Sequence, residues 1–477
     1  MQRLFFVLLI IGLSTLSAVA QKVWTLEECA AYATQNNITL KQAELNEQLA
    51  DFTLTQSKLN LIPSVSASTG YYFNFGRTID PTSNLFVNQN TQTNTVSLSV
   101  GWPVFNGFQR INTIKQNEFS LLANHASTAN TEQTILLYVA GGFLDIVYGK
   151  ENLANANDQL NLSRTQMERT KLLVNAGTLS QGSLYDIEAQ VANDELAEVN
   201  AQNALDLAKL NLAQLMNLTE TIDVFVPDIN MNTELLRDLN LTADSIYQTA
   251  VRMQPVIKNA EYNLLSYEKG LAVAKGSLYP SLSFFGSLST NYSDAYQRIS
   301  SIDTVTGEPI PIGYVLSSNE VVVSPQFDII PTFKKTGYTD QFKDNFGQAF
   351  GFSLDIPIFN NWNTRTNISV SKINVLNAQY TLQSAKLQLQ KDVQTAYQDA
   401  VAAKNSYAAA LKSVTALEKS FDDAQKKFNL GAITSLDYTT AKSNLTKAQS
   451  SLLQSKFRYV FKLKVLDLYQ GKPLTLQ

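Results

Sequence analysis

Between Val104 and Val226 the sequence runs 123 residues without a proline, and between Ile358 and Lys472 it runs another 115. Proline breaks a helix wherever it falls inside one, so both stretches read as long helices and set the dimensions of whatever the chain builds. The second holds a single glycine before Gly471, at Gly431, which marks one reversal of direction. The arm leading to it, Ile358 to Leu430, has 73 residues. At about 1.5 Å per residue it runs on the order of 110 Å, longer than any globular domain holds. On the returning arm Ala441, Leu445, Ala448 and Leu452 step by four, three and four along one stripe, the spacing with which helices pack in a coiled coil.

The chain is also written twice. Thr25 to Ser66 align without a gap on Thr242 to Ser283 at an offset of 217, matching Lys41 with Lys258, Ala43-Glu44 with Ala260-Glu261, Asn46 with Asn263 and Pro63-Ser64 with Pro280-Ser281. A second block matches at an offset of 254, where Pro103-Val104-Phe105-Asn106 answers Pro357-Ile358-Phe359-Asn360 and Asn175-Ala176-Gly177 answers Asn429-Leu430-Gly431. The change of offset inserts 37 residues into the second copy, within Asn291 to Asn345. Internal repetition of this kind makes each copy one structural unit. The expected organisation is a first repeat over 21–227, a linker at 228–241 and a second repeat over 242–477 with a long loop at 291–345.

Short segments ahead of the long helices alternate with period two. Val65, Ala67, Thr69, Tyr71 and Phe73 oppose Ser64, Ser66, Ser68 and Gly70; Val96, Leu98, Val100 and Trp102 oppose Ser97, Ser99 and Gly101. In the second copy Leu282, Phe284 and Leu288 oppose Ser281, Ser283 and Ser287, while Phe350, Phe352, Leu354 and Ile356 oppose Gly351, Ser353 and Asp355. Each run is about ten residues, the length of a tilted transmembrane β-strand with one face for lipid and one for water. Tyr71, Tyr72, Trp102, Phe105, Tyr279, Phe359 and Trp362 cluster near strand ends, where an interfacial belt belongs. Four strands cannot close a barrel, and an open edge in hydrocarbon leaves backbone groups unsatisfied. Two chains would give a nearly filled eight-stranded barrel, and three a twelve-stranded one with a bore. Without lipid the alternative is a long soluble coiled coil.

Residues 1–20 read as an export signal: Arg3, the apolar run Leu4 to Leu13, and Ala18-Val19-Ala20 as the cleavage site, so that the mature chain begins at Gln21. Its removal takes the formal charge from −4 to −5, which gives no reason to expect nucleic acid. Only 16% of residues are charged, against about 25% in ordinary soluble domains, and Ser, Thr, Asn and Gln fill the difference. No later apolar run approaches the roughly 18 residues of a spanning helix; Ile135 to Leu144 ends at Asp145. Cys29 reads as a small core residue, too far from Gln21 to be a lipidated first residue. Thr25 with Glu28 reads as a capping box.

The Thr25-Leu26-Glu27-Glu28-Cys29-Ala30 opening, the Pro-Val-Phe-Asn-Gly and Pro-Ile-Phe-Asn-Asn strand exits, the Asn-Ala-Gly and Asn-Leu-Gly turns and the duplicated layout together resemble the outer membrane efflux protein family, the TolC-like channels, from about Lys22 to Tyr469. The resemblance implies a mixed membrane α+β fold. A homotrimer would close a twelve-stranded transmembrane β-barrel, four strands per protomer, continued by a long α-helical barrel through the periplasm, with the linker at its equator and the 291–345 loop outside the cell. It implies an exit duct for a tripartite efflux or type I secretion system, meeting a membrane-fusion adaptor and, through it, an inner-membrane RND or ABC pump. The adaptor contacts would be Gly177, Thr178, Leu179 and Ser180 with Gly431, Ala432, Ile433 and Thr434 at the hairpin turns. An acidic ring at the closed entrance would fall on Asp437; its companion one turn later is replaced by Thr440. Asp186 is the gate candidate of the first copy, where Gln181 and Gly182 read as an insertion that puts it one residue out of register with Asp437. Both aspartates also suit the N-terminus of a helix on the macrodipole alone.

No catalytic or cofactor constellation accompanies these features. His125 is the one histidine and has no cysteine partner for zinc, no G-x-S-x-G elbow is present, and Gly149-Lys150 lacks the upstream glycine of a phosphate loop. The readings left open are a passive duct driven by a partner and a periplasmic or outer-membrane coiled-coil scaffold without transport. Either is compatible with a receptor surface on the 291–345 loop.

Overall fold

The computed structural model describes residues 23–80, 83–88, 90–220, 222–227 and 242–472. The export signal and the 228–241 linker lie outside the described residues. The first part of the chain runs β1 (Val23–Trp24), α1 (Leu26–Asn36), α2 (Ile38–Leu59), β2 (Ser64–Asn74), β3 (Arg77–Ile79), β4 (Phe86–Asn88), β5 (Thr91–Asn106), α3 (Gln109–Asn175), α4 (Gln181–Leu215) and β6 (Asp223–Val224). The second runs α5 (Ala243–Met253), α6 (Pro255–Gly276), β7 (Ser281–Ser293), β8 (Gln297–Thr306), β9 (Ile310–Tyr314), β10 (Val321–Ser324), β11 (Phe327–Lys335), α7 (Tyr338–Asp344), β12 (Gly347–Asp355), α8 (Asn363–Asn429) and α9 (Ser435–Tyr469).

Helices correspond length for length. α1 and α5 have 11 residues, α2 and α6 have 22, α3 and α8 have 67, and α4 and α9 have 35. The first two pairs begin 217 residues apart and the last two 254 apart. Left-handed backbone recurs at the same spacing, in Gly107 and Asn361, Phe108 and Trp362, Gly177 and Gly431, and Asn217 and Gly471. Where the residue carries a Cβ this conformation costs about 1–2 kcal/mol, so its recurrence in register reflects the same turns being built twice.

Contacts divide these elements into two units. One, residues 55–115 and 269–372, contains an antiparallel sheet in the order β12-β7-β5-β2. Its register places Val65, Ala67, Val96, Leu98, Val100, Trp102, Phe284, Leu288, Phe352 and Leu354 on one face and Ser66, Ser68, Ser97, Ser99, Ser283, Ser287 and Ser353 on the other. Val65, Phe350, Phe352 and Leu354 are each more than 60% exposed, so over most of the apolar face no second layer covers the strands. β5 outruns β2 at Ser64, and Pro103, which has no amide to donate, sits where a bulge interrupts its pairing with β7. Within 291–345, read from sequence as a loop, β8 pairs with β11, β9 pairs with β10, and α7 follows.

The other unit, over its described residues within 23–54, 116–268 and 373–472, is helical with a parallel β1–β6 pair. The Thr25–Glu28 capping box forms in both directions, Glu28 N donating to Thr25 Oγ1 at 3.2 Å and Thr25 N to Glu28 Oε2 at 3.0 Å. Cys29 is fully buried among Leu26, Ala33, Leu40, Val139 and Phe143, and the apolar run Ile135 to Leu144 supplies the middle of this core. At Gly149 the backbone of α3 approaches α4 so closely that a Cβ would lie 3.1 Å from Leu205 Cδ1. No described helix is long and apolar enough to cross a membrane. Of the stripe expected on α9, Leu445 is buried while Ala441, Ala448 and Leu452 are half-buried. The deeper row within the chain is Tyr438, Lys442, Leu445, Leu453, Phe457 and Val460, because the helix turns a bulkier edge towards α3 and α4.

Candidate functional site

The ends of the α3–α4 and α8–α9 hairpins are built alike. At each, a glycine takes the left-handed conformation, Gly177 at φ +76° and Gly431 at φ +70°. Two backbone bonds then close the helix: Gly177 N to Val174 O at 2.9 Å and Thr178 N to Leu173 O at 2.9 Å, answered by Gly431 N to Phe428 O at 3.0 Å and Ala432 N to Lys427 O at 2.9 Å. These satisfy carbonyls that the helix end would otherwise orphan. Two residues later a hydroxyl starts the return helix. Ser180 accepts from Ser183 N, and Thr434 accepts from Asp437 N at 3.2 Å.

Gly177, Thr178, Ser180, Gly431, Ala432 and Thr434 are exposed, while Leu179 and Ile433 fold back and are half-buried. The expected tip residues thus sit together at each turn, six of the eight facing outward. Leu172, Tyr185, Leu430 and Leu436 flank the turns and are 61–83% exposed. Sequence reasoning missed them, because a lone Leu beside a turn carries no period; its signal here is exposure.

Asp437 is the third residue of α9 and completes a second capping box, its Oδ2 accepting from Thr434 N at 3.1 Å and from Thr434 Oγ1 at 2.7 Å. Those bonds hold its carboxyl below the ordinary carboxylate range. Asp186 does something else: it accepts from Ser435 Oγ at 2.6 Å and ties one hairpin to the other. The insertion read at Gln181-Gly182 is not there. α4 and α9 begin 254 residues apart and run 35 residues each, so Ser183 corresponds to Asp437 and Asp186 to Thr440.

Deeper between the hairpins lies a polar cluster. Lys442, only 1% exposed, spends its three donors on Gln159 O at 2.7 Å, Asp194 Oδ2 at 2.9 Å and Ser163 Oγ. Asp194 also accepts from Ser163 Oγ and from Gln190 Nε2 at 2.8 Å, so every member is bonded. Burial lowers the Lys442 ammonium from its ordinary value, and the facing Asp194 opposes that. One turn nearer the tip, Tyr438 stacks on Phe428 with centroids 4.9 Å apart. Burial, with Asp194 nearby, pushes its phenol up to about 12, and its hydroxyl makes no hydrogen bond among the described residues. The lone His125 lies elsewhere, on an exposed face of α3 with Nδ1 2.9 Å from Glu47 Oε1.

The profile of the family described as Outer membrane efflux protein matches residues 31–218 and 246–470. The chain is 20% identical over 439 residues to the Outer membrane efflux protein BepC of Brucella suis biovar 1 (strain 1330), covering 91% of this chain and 82% of that one. Among solved structures it is similar to the outer membrane protein VceC of Vibrio cholerae, at a TM-score of 0.71 and 13% identity, covering 94% of this chain and 97% of that one. The Campylobacter jejuni CmeC outer membrane channel matches at a TM-score of 0.71 and 14% identity, over 94% of this chain and 85% of that one.

Proposed function

The chain belongs to the outer membrane efflux protein family, an efflux channel of the outer membrane reaching into the periplasm, and from that premise we propose how this chain builds the duct. Three copies join edge to edge, β2 of one beside β12 of the next, and close a twelve-stranded barrel with the serine faces inward. The two helical hairpins of each copy, six in all, form the periplasmic wall, with the 291–345 segment outside the cell. The duplicated helix lengths support this reading, because a wall of alternating first and second hairpins stays level only if they match.

The observation that carries the proposal is the sheet. It has two open edges and an apolar face left largely bare, an arrangement that water would not tolerate and that lipid on one side and sister chains on both edges would satisfy. The capped turns at the hairpin ends, with Leu172, Tyr185, Leu430 and Leu436 around them, offer small backbone-accessible sites and apolar contacts to a periplasmic adaptor. The family consists of channels rather than enzymes, so the energy for export comes from an inner-membrane pump, proton-driven or ATP-driven, reached through that adaptor. Asp437 carries one unshared carboxylate oxygen, Oδ1, and in a threefold ring it would select cations at the entrance.

Planar-bilayer recording of the purified full-length protein tests the duct. Discrete channel openings are expected. A protein that inserts into the bilayer and never conducts would instead be the scaffold that the long helices alone allow.

A further inference from the structure

Helix α7 occupies an unusual place on the sheet. Tyr338 donates from its hydroxyl to Asn94 Oδ1 at 2.6 Å and packs its ring on Tyr292 at 4.8 Å; Thr290 Oγ1 donates to Phe342 O at 2.8 Å. Thr290, Tyr292 and Asn94 share a face through register, Asn94 opposite Tyr292 and Tyr71, and that face is the one carrying Val96, Leu98 and Leu288. α7 therefore lies across the apolar side of the sheet, not the serine side. It is fastened there. Gln341, 1% exposed, donates to Ser293 O and Thr336 O and accepts from Ser293 N, and Asn345 Nδ2 donates to Asn291 O at 2.8 Å. Its outward residues are Thr339, Asp340, Lys343 and Asp344, with Tyr338 about half exposed beside them.

Depth follows from strand geometry. Trp102 on β5 and Phe73, which pairs opposite Gln92, mark two aromatic levels ten β5 residues apart. At about 3.3 Å per residue and a tilt near 40° that is roughly 25 Å of height, the thickness of a barrel's apolar band. Asn94, where Tyr338 is seated, lies two residues inside the outer level, or about 5 Å below it, the depth at which an amphipathic helix rests between headgroups and acyl chains.

We infer that α7 is an interfacial helix on the outside of the barrel wall, and that outer-leaflet lipid at the headgroup boundary covers its Tyr338 edge. Continuity with the lipid-facing band identifies the occupant: the same face continues from Leu98 and Leu288 to Tyr292 without a break in register. The inference rests on the barrel reading proposed above, and the experiment separates the two.

A nitroxide is placed at Lys343→Cys, and independently at Thr339→Cys, in the full-length protein in phospholipid vesicles. Cys29 is fully buried, so the introduced thiol is the one that labels. Reference labels sit at Leu98→Cys on the apolar face and at Ser318→Cys in the exposed β9–β10 turn. Collision rates with oxygen and with a water-soluble nickel chelate are read at each. Expected is nickel access at 339 and 343 several-fold below that at 318, with oxygen access between those of 318 and 98. Nickel access equal to that at 318, with 98 still in lipid, overturns the inference alone. Low access to both reagents means that a neighbouring copy covers the helix and also overturns it. Full nickel access at 98 removes the barrel reading itself.

Discussion

At the residue scale the chain's firmest commitment is Lys442. A buried ammonium survives because all three of its protons are accepted and Asp194 neutralises it. Lys442→Met in the presence of Asp194 strands a buried carboxylate and is expected to cost about 3–5 kcal/mol, whereas Lys442→Met with Asp194→Leu recovers most of that. Thermal unfolding of the detergent-solubilised protein reads the difference, and a double variant no better than the single would mean that the cluster holds by shape rather than charge. Asp437 is the opposite case, fully exposed and held by a cap. Its carboxyl titrates below the ordinary range in the folded chain, so the stabilisation it gives is complete above that range and lost as pH falls through the lowered value. Amide exchange in the first turn of α9 should accelerate in that acid window. As a gate, Asp437→Asn should reduce cation selectivity and divalent block in single-channel recordings; unchanged permeation would leave Asp437 with its cap alone.

At the element scale the two turns test how much a single backbone conformation contributes. A Cβ at Gly177 or Gly431 would meet nothing within 4 Å, so Gly431→Ala isolates the strain of a positive φ, about 1–2 kcal/mol, from any clash. Faster amide exchange confined to residues near Thr434, with normal barrel assembly, is the expected result; assembly failure would show that the turn is needed to fold the hairpin at all. These turns were legible in the sequence because proline and glycine act locally. Four strands were legible because period two survives wherever one face is apolar. The β8–β11 hairpin was not: Asp303, Pro309, Pro311 and Pro331 look like turn residues, and edge strands exposed on both faces keep no alternation. Lys442 was invisible for a related reason, since a lysine among Ser, Thr and Lys reads as solvated until Asp194, 248 positions away in the chain, is placed against it. The false insertion at Gln181-Gly182 came from matching one aspartate to another, when helix N-caps, Ser180 with Thr434, are the true landmarks.

At the scale of the whole molecule the open edges decide the assembly. Cysteines scanned along β12 against Ala67→Cys on β2 should cross-link between chains, with the ladder ending at three copies; a ladder ending at two would give the filled eight-stranded barrel instead. The same edges govern how the protein reaches its membrane. A single copy has two rows of unpaired amides and carbonyls, at β2 and β12, and cannot dissolve in hydrocarbon on its own. If the copies close the barrel as proposed, insertion and oligomerisation are one event. The rate of appearance in the membrane should rise faster than linearly with the concentration of unassembled chain, and chains that wait in the periplasm expose strands ready to pair with any other edge, which makes biogenesis, rather than the finished duct, the stage most vulnerable to crowding and to loss of chaperones.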